Sequence, residues 1–180
     1  MKEKYIYREA KEEDISQLIK IENEFFNSGI AFTEDFLKKW YNHNKKMFYV
    51  VTNDKEEILG FTILVPITDK LYNKLKTGQS KDMADFKEEE VLQTIQSEYY
   101  YVADIASSNK ALRASLILFK GITEFLGSNA HWVLTTPITK EGFAVCKSFG
   151  FKPLEDEFEI GQNLELEVTD SLRKRFIKTK

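Results

Sequence analysis

Three side chains in this sequence are the leading candidates for moving protons. Cys146 is its one cysteine, and a thiol with an ordinary pKa of about 8.5 can protonate a thiolate. A free cysteine can equally be a small buried packing residue. Glu98 opens and Asp104 nearly closes a tyrosine-rich run at 98–106 (EYYYVADIA). A carboxylate beside an attacking amine can accept its proton. Each has a plainer alternative: Asp104 as a structural carboxylate bonding a neighbouring loop, Glu98 as an exposed strand start. Other chemistries are poorly served. His43 and His131 lie far apart and lack ligand-type neighbours, so no metal site is expected. No histidine accompanies Cys146 in a recognisable nucleophile motif.

These residues need elements to position them. The run 98–106 reads as a strand, with Tyr99 and Tyr101 on one face and Tyr100 on the other. A helix follows over 108–126, capped by Ser108 or Asn109, with Leu112, Leu116, Phe119 and Ile122 apolar and Gly127 closing it. Cys146 sits within 139–151, TKEGFAVCKSFGF. Thr139 caps a helix there, because its hydroxyl can take a free amide of the first turn. Phe143, Val145, Cys146 and Phe149 give that helix an apolar face. Lys147 suits its dipole, and Gly150 ends it in a left-handed cap. Strands are expected at 131–135 and 151–154, and a last strand or hairpin within 158–168.

Upstream, 4–8 alternates as a strand. The stretch 10–26 reads as a helix, with Ile15, Leu18, Ile19, Glu22, Phe25 and Phe26 at three-four spacing, stopped by Asn27-Ser28-Gly29. A second helix covers 33–43. Strands at 47–52 and 58–65 flank a polar hairpin connection. The segment 66–97 carries helical patterns at 69–76 and 82–96. It reads either as a solvated helical cap or as a lid over a substrate cleft.

The bulk properties exclude several classes. Apolar residues make up 42% and charged residues 31% of 180, which suits one folded domain rather than a disordered or membrane chain. A net charge of −3 gives no overall basic field, which argues against a dedicated nucleic-acid binder. The start MKEKYIYREA lacks the apolar core of a signal peptide, and no run reaches the roughly 18 apolar residues of a membrane helix. With a single cysteine, the expectation is a cytoplasmic protein without nucleic-acid or membrane partners. The basic tail at 171–180 is either a solvated terminal helix or a contact for an anionic partner.

The 139–151 block resembles the last helix of the GNAT superfamily of acyl-CoA-dependent N-acyltransferases, which often carries Thr-x-x-Gly-x-x-apolar-Tyr-x-x-x-Gly-Phe. The chain matches at Thr139, Gly142, Val145, Gly150 and Phe151, and has Cys146 at the Tyr position. The resemblance implies an α/β (α+β) fold in one domain, 1–180. Its central sheet would be mixed and mostly antiparallel, with helices on both faces and the 66–97 helical insert between the third and fourth strands. It implies acetyl-CoA as acyl donor, no metal, and a small-molecule or peptide amine as acceptor. A homodimer is one arrangement it allows. The pantetheine arm would pair with the backbone of the 99–106 strand as an added strand does. The amide of Ile105 or Ala106 would polarise the thioester carbonyl.

The pyrophosphate would rest on the amides at the next helix start, 107–115. The family writes Arg/Gln-x-x-Gly-x-Gly/Ala there, whereas this chain reads SSNKALRAS without glycine. One register puts Lys110 at the Arg/Gln position, with Arg113 and Ser115 in the glycine slots. The other uses Asn109, with Leu112 and Ala114 in those slots. The first keeps Ile105 and Leu118 buried and leaves Lys110 and Arg113 as cations beside a phosphate. The turn is then an atypical phosphate cradle or a plain helix start. Ser107, Ala114 and Thr139 complete the implied cofactor contacts. Asp104 or Glu98 would be the base, and Cys146 the acid for the leaving thiolate. The rival reading is a non-catalytic GNAT-fold module that binds a ligand or a protein, since the glycines and the Tyr are both missing.

Overall fold

Phe48–Thr52 (FYVVT) is buried along its whole length, as a β-branched and aromatic run is when it forms an interior strand. It is β2 of a computed structural model that describes residues 4–25, 32–108, 114, 117–118, 120–122, 126, 129–154 and 160–177. Its companions are β1 (Ile6–Glu9), β3 (Ile58–Ile67), β4 (Tyr99–Ser107), β5 (Trp132–Thr135), β6 (Lys152–Pro153) and β7 (Leu164–Glu167). The sheet order is β1-β2-β3-β4-β5-β7-β6. The pairs β1·β2, β2·β3, β5·β7 and β6·β7 are antiparallel, and β4·β5 is parallel. The helices are α1 (Ile15–Phe25), α2 (Glu34–His43), α3 (Asp69–Lys76), α4 (Lys140–Phe149) and α5 (Asp170–Ile177). The described residues among 114–122 are helical as well. This is the mixed, mostly antiparallel sheet with helices that the sequence led us to expect. Residues 1–64 with 104–125 form one compact unit, and 65–103 with 126–180 a second.

In the first unit, β3 lies hard against β4. A Cβ on Gly60 would stand 2.8 Å from the Ala106 carbonyl oxygen, closer than real Cβ contacts come, so only glycine fits. The Ser108 amide donates to the Leu59 carbonyl at 2.8 Å. Ile105 packs with Val51, Ala114 and Leu118. Its neighbour Asp104 therefore faces the opposite side of the sheet, because successive strand residues alternate. Within the expected helix at 10–26, helical structure begins at Glu12. A 3-10 turn at Glu12–Asp14 precedes α1, where the Asp14 carboxylate accepts the Lys11 amide and an Arg8 N–H, each at 2.7 Å. The stop at Asn27-Ser28-Gly29 lies outside the described residues.

In the second unit the insert departs from expectation. The 69–76 helix is present as α3, capped by Thr68. The 82–96 helix is not. Short 3-10 turns occupy Met83–Asp85 and Glu88–Glu90, and Val91 pairs with Ile67 at the end of β3. The Leu92 amide donates to the Pro66 carbonyl and the Thr68 amide to the Glu90 carbonyl. Glu90, 2% exposed, takes Lys74 at 2.5 Å. Burial of Met83, Phe86 and Val91, with these backbone pairings, outweighs helical spacing. Helix α3 is also tied down: the Tyr72 hydroxyl donates to Glu165 at 2.5 Å, Lys76 reaches the same carboxylate at 3.3 Å, and Asn163 donates to the Leu75 carbonyl.

The last helix forms as its sequence dictates. The Thr139 hydroxyl accepts the Gly142 amide at 3.0 Å. Gly150 sits at φ 94°, a left-handed conformation that costs glycine little, and its amide returns to the Cys146 and Lys147 carbonyls.

Candidate active site

The three-four spacing of α1 buries Ile15, Leu18 and Ile21, and the same stripe carries Glu22. This residue is 2% exposed. One carboxylate oxygen accepts the Phe32 amide at 2.8 Å. The other is buried without a hydrogen-bond partner. Burial disfavours the charged form and pushes the Glu22 carboxyl up to about 7, with the Phe32 amide opposing.

Asp104 occupies the other element of this site, β4. It is 9% exposed, and its Oδ2 is also buried without a partner. Its main-chain carbonyl accepts the Thr62 hydroxyl at 2.9 Å, which fixes this part of β4. Burial holds the Asp104 carboxyl well above the usual carboxylate range, the Glu22 charge raises it further, and the Ile105 amide works against both. Two carboxyls from α1 and β4 thus share one electrostatic environment within the first unit. A carboxyl raised toward neutrality is suited to accept a proton at physiological pH.

The remaining sequence candidates are distributed as follows. Ile105, Ala106 and Ser107 follow Asp104 directly on β4. Ala114 is fully buried against Val51 and Leu118. Lys110, Arg113, Ser115 and the cap residue Asn109 lie outside the described residues. Thr139 is engaged as the α4 cap. Glu98 is exposed just before β4, and its carbonyl accepts the amides of His131 and Trp132. Cys146 is buried, which pushes its thiol up to about 11 and keeps it protonated at neutral pH. Of the tyrosines, Tyr99 stacks on Tyr72 at 4.2 Å, Tyr100 is bonded to Ser97 and Ile95, and Tyr101 to Lys81 and Thr136. Glu22 was not singled out as a site residue by sequence reasoning. The signal was present, because a carboxylate on an otherwise apolar helical stripe demands a partner or a purpose.

The pairing of β4 with β5 is short. It runs in register from Tyr99↔Trp132 to Val102↔Thr135 and ends there, with the Thr135 hydroxyl donating to the Val102 carbonyl at 3.0 Å. Strand β4 continues to Ser107. Five of its nine residues thus lie beyond its registered parallel partner. Among the described residues no group of three or more His, Cys, Asp or Glu could hold a metal, and no helix is long and apolar enough to cross a membrane.

No protein-family model and no curated protein matches this chain. Solved structures do. Ard1 from Thermoplasma volcanium is similar with a TM-score of 0.63 at 14% identity, over 92% of this chain and 99% of that one. The ribosomal-protein-S18-alanine N-acetyltransferase of Escherichia coli gives a TM-score of 0.58 at 10% identity, over 92% and 95%. GphF, a GNAT-like decarboxylase in complex with isobutyryl-CoA, gives 0.60 at 10% identity, over 82% and 72%. The chain has the GNAT fold.

Proposed function

We propose that this protein is an N-acyltransferase that moves an acetyl group from acetyl-CoA to a primary amine. The observation that carries the reading is β4 outrunning its parallel partner by five residues in a chain of GNAT fold. Main-chain amides and carbonyls left unpaired on the edge of β4 away from β3 are what an extended, amide-bearing pantetheine arm needs. The proposal puts that arm along Ala103–Ser107, with the amide of Ile105 or Ala106 on the thioester carbonyl. Lys110, Arg113, Ser107, Ser115, Ala114 and Thr139 form the proposed phosphate end.

The acceptor nitrogen attacks the carbonyl carbon, the nitrogen–carbon bond forms, and the carbon–sulfur bond breaks. Asp104, on the same strand, is the proposed proton acceptor. Cys146 is a reluctant acid for the thiolate, because burial pushes its thiol up to about 11. Solvent can supply that proton instead. A cationic or neutral amine, small molecule or peptide, met in the cytoplasm, fits the carboxyls of this region.

Calorimetry with acetyl-CoA tests the reading, followed by mass spectrometry of a panel of amines incubated with donor and protein. Binding heat and an acetylated product are expected. No heat and no thermal shift at millimolar donor would favour the non-catalytic module.

A further inference from the structure

The parallel pairing of β4 with β5 ends at Val102↔Thr135. The next residue, Thr136, is fastened to the insert. Its hydroxyl donates to Asn163 Oδ1, and the Lys81 carbonyl oxygen is 2.8 Å away. Tyr101, one residue before the last pair on β4, donates its hydroxyl proton to that same carbonyl at 3.1 Å and lies 3.0 Å from the Thr136 hydroxyl. Asn163, just before β7, donates to the Leu75 carbonyl at 2.7 Å and the Ser80 carbonyl at 3.4 Å. The set closes on itself. Two hydroxyl protons and two amide protons meet four acceptor oxygens, which also fixes which way the Asn163 amide faces. The segment is packed as well as tied: Ser80 and Met83 are buried, and Phe86 sets its ring edge-on to Tyr101 at 5.1 Å. All of these residues belong to the second unit. Main chain of the insert is thus fastened by β4, by the residue after β5 and by the residue before β7, at the point where the β4–β5 ladder stops.

We infer that the Lys81 turn of the insert is a fixed wall at the inner end of the open stretch of β4, and that it restricts the donor to short-chain acyl groups. This rests on the acyl-transfer reading above and deepens it by assigning the donor's size. That reading lays the donor along β4 with its phosphates at the helix start after Ser107, so the acyl end points back toward Val102. Two residues of strand separate Ile105, whose amide would hold the thioester carbonyl, from Ala103, the position that Thr136 would face if the ladder continued. At roughly 3.3 Å per residue that is about 7 Å. A contact distance of about 4 Å to the wall leaves room for two or three further carbons, at about 1.2 Å each. Acetyl and butyryl fit, and octanoyl does not. A longer chain gains little there, because the groups it meets are polar and already paired. Displacing them would leave the Lys81, Leu75 and Ser80 carbonyls without their donors. Tyr101, Thr136 and Asn163 are positioning residues, acting on the donor through the insert's main chain.

The test uses the full chain with acetyl-, butyryl- and octanoyl-CoA as donors and whichever amine the panel above identifies. Acetyl and butyryl should transfer with kcat/KM within about tenfold of each other, and octanoyl on the order of 10²-fold less well. Thr136→Val keeps the shape of the side chain and removes its hydroxyl, and Tyr101→Phe does the same on β4. Each should raise octanoyl relative to acetyl by about tenfold or more, and Thr136→Ser should restore the wild-type ratio. A donor ratio is not moved by lost stability alone. The wild-type donor profile needs no variant, so it decides the matter even if Thr136→Val and Tyr101→Phe do not fold. Octanoyl transfer equal to acetyl in the wild type, or an unchanged ratio in the folded variants, would overturn the wall and leave acyl transfer intact. Altered preference among amines with the donor ratio unchanged would overturn it as well, by putting the insert beside the acceptor. A wild-type protein that binds none of the three donors and acylates nothing would overturn the acyl-transfer reading, and the wall with it.

Discussion

Replacing Glu22 by Gln should make the protein more stable above neutral pH while leaving it almost unchanged in acid. The native carboxyl is raised from an ordinary 4.5 to about 7. A raised carboxyl supports the fold fully below its unfolded value, and that support is lost as pH climbs through the folded value. The loss therefore runs from about pH 4.5 to about pH 7. At about 1.36 kcal/mol for each tenfold change, the rise is worth up to about 3 kcal/mol. Gln removes the ionisation and keeps an oxygen that can accept the Phe32 amide. For a chain of this size, 1 kcal/mol moves Tm by about 2–4 °C, so Glu22→Gln should melt roughly 6–12 °C above wild type at pH 8.5 and within about 2 °C of it at pH 4.5. Asp104 keeps its own burial penalty in the variant, so the difference between the two proteins, not either curve alone, is the readout. Calorimetric or urea melts every half unit from pH 4.5 to 9 supply it. Parallel curves for the two proteins would refute the reasoning.

Asp14 should behave in the opposite sense. Burial raises its carboxyl, but Arg8 and the Lys11 amide outweigh that and hold it below the usual range, so its contribution is present above its unfolded value and is lost as pH falls through the folded one. Asp14→Asn should cost about 1–3 kcal/mol at pH 7 and little in strong acid, measured by urea unfolding at both. Gly60→Ala should destabilise by about 1–3 kcal/mol, because the new methyl meets main chain on β4 rather than a movable side chain; an unchanged urea midpoint would contradict the close approach. Cys146, buried and held protonated to about 11, should resist a thiol reagent at pH 8 in the native protein and react fully in denaturant. Rapid native labelling would count against its burial.

The parts of this fold that were legible in the sequence are those whose signals are local. Thr139 and Gly150 bracket α4 by hydrogen bonds and backbone geometry that need only their immediate neighbours, and α3 appears with the bounds its cap and spacing dictate. The 82–96 stretch misled because its competitor is remote: the end of β3 offers Ile67 and Pro66 as backbone partners, which no pattern within 82–96 reveals. The site was half legible for a similar reason. Asp104 could be named as a candidate from its strand position, whereas Glu22 stands out only through its burial, at 2% exposed, which the fold and not the local pattern decides. Its raised carboxyl comes from burial, a property that spacing suggests but does not measure.

The fastening of α3 has a practical consequence. Tyr72 and Lys76 both end on the Glu165 carboxylate, and Asn163 reaches back to Leu75. A shortened variant lacking 69–76 would strand Glu165 without either of those partners, so this excursion is no detachable ornament that could be trimmed to simplify the protein.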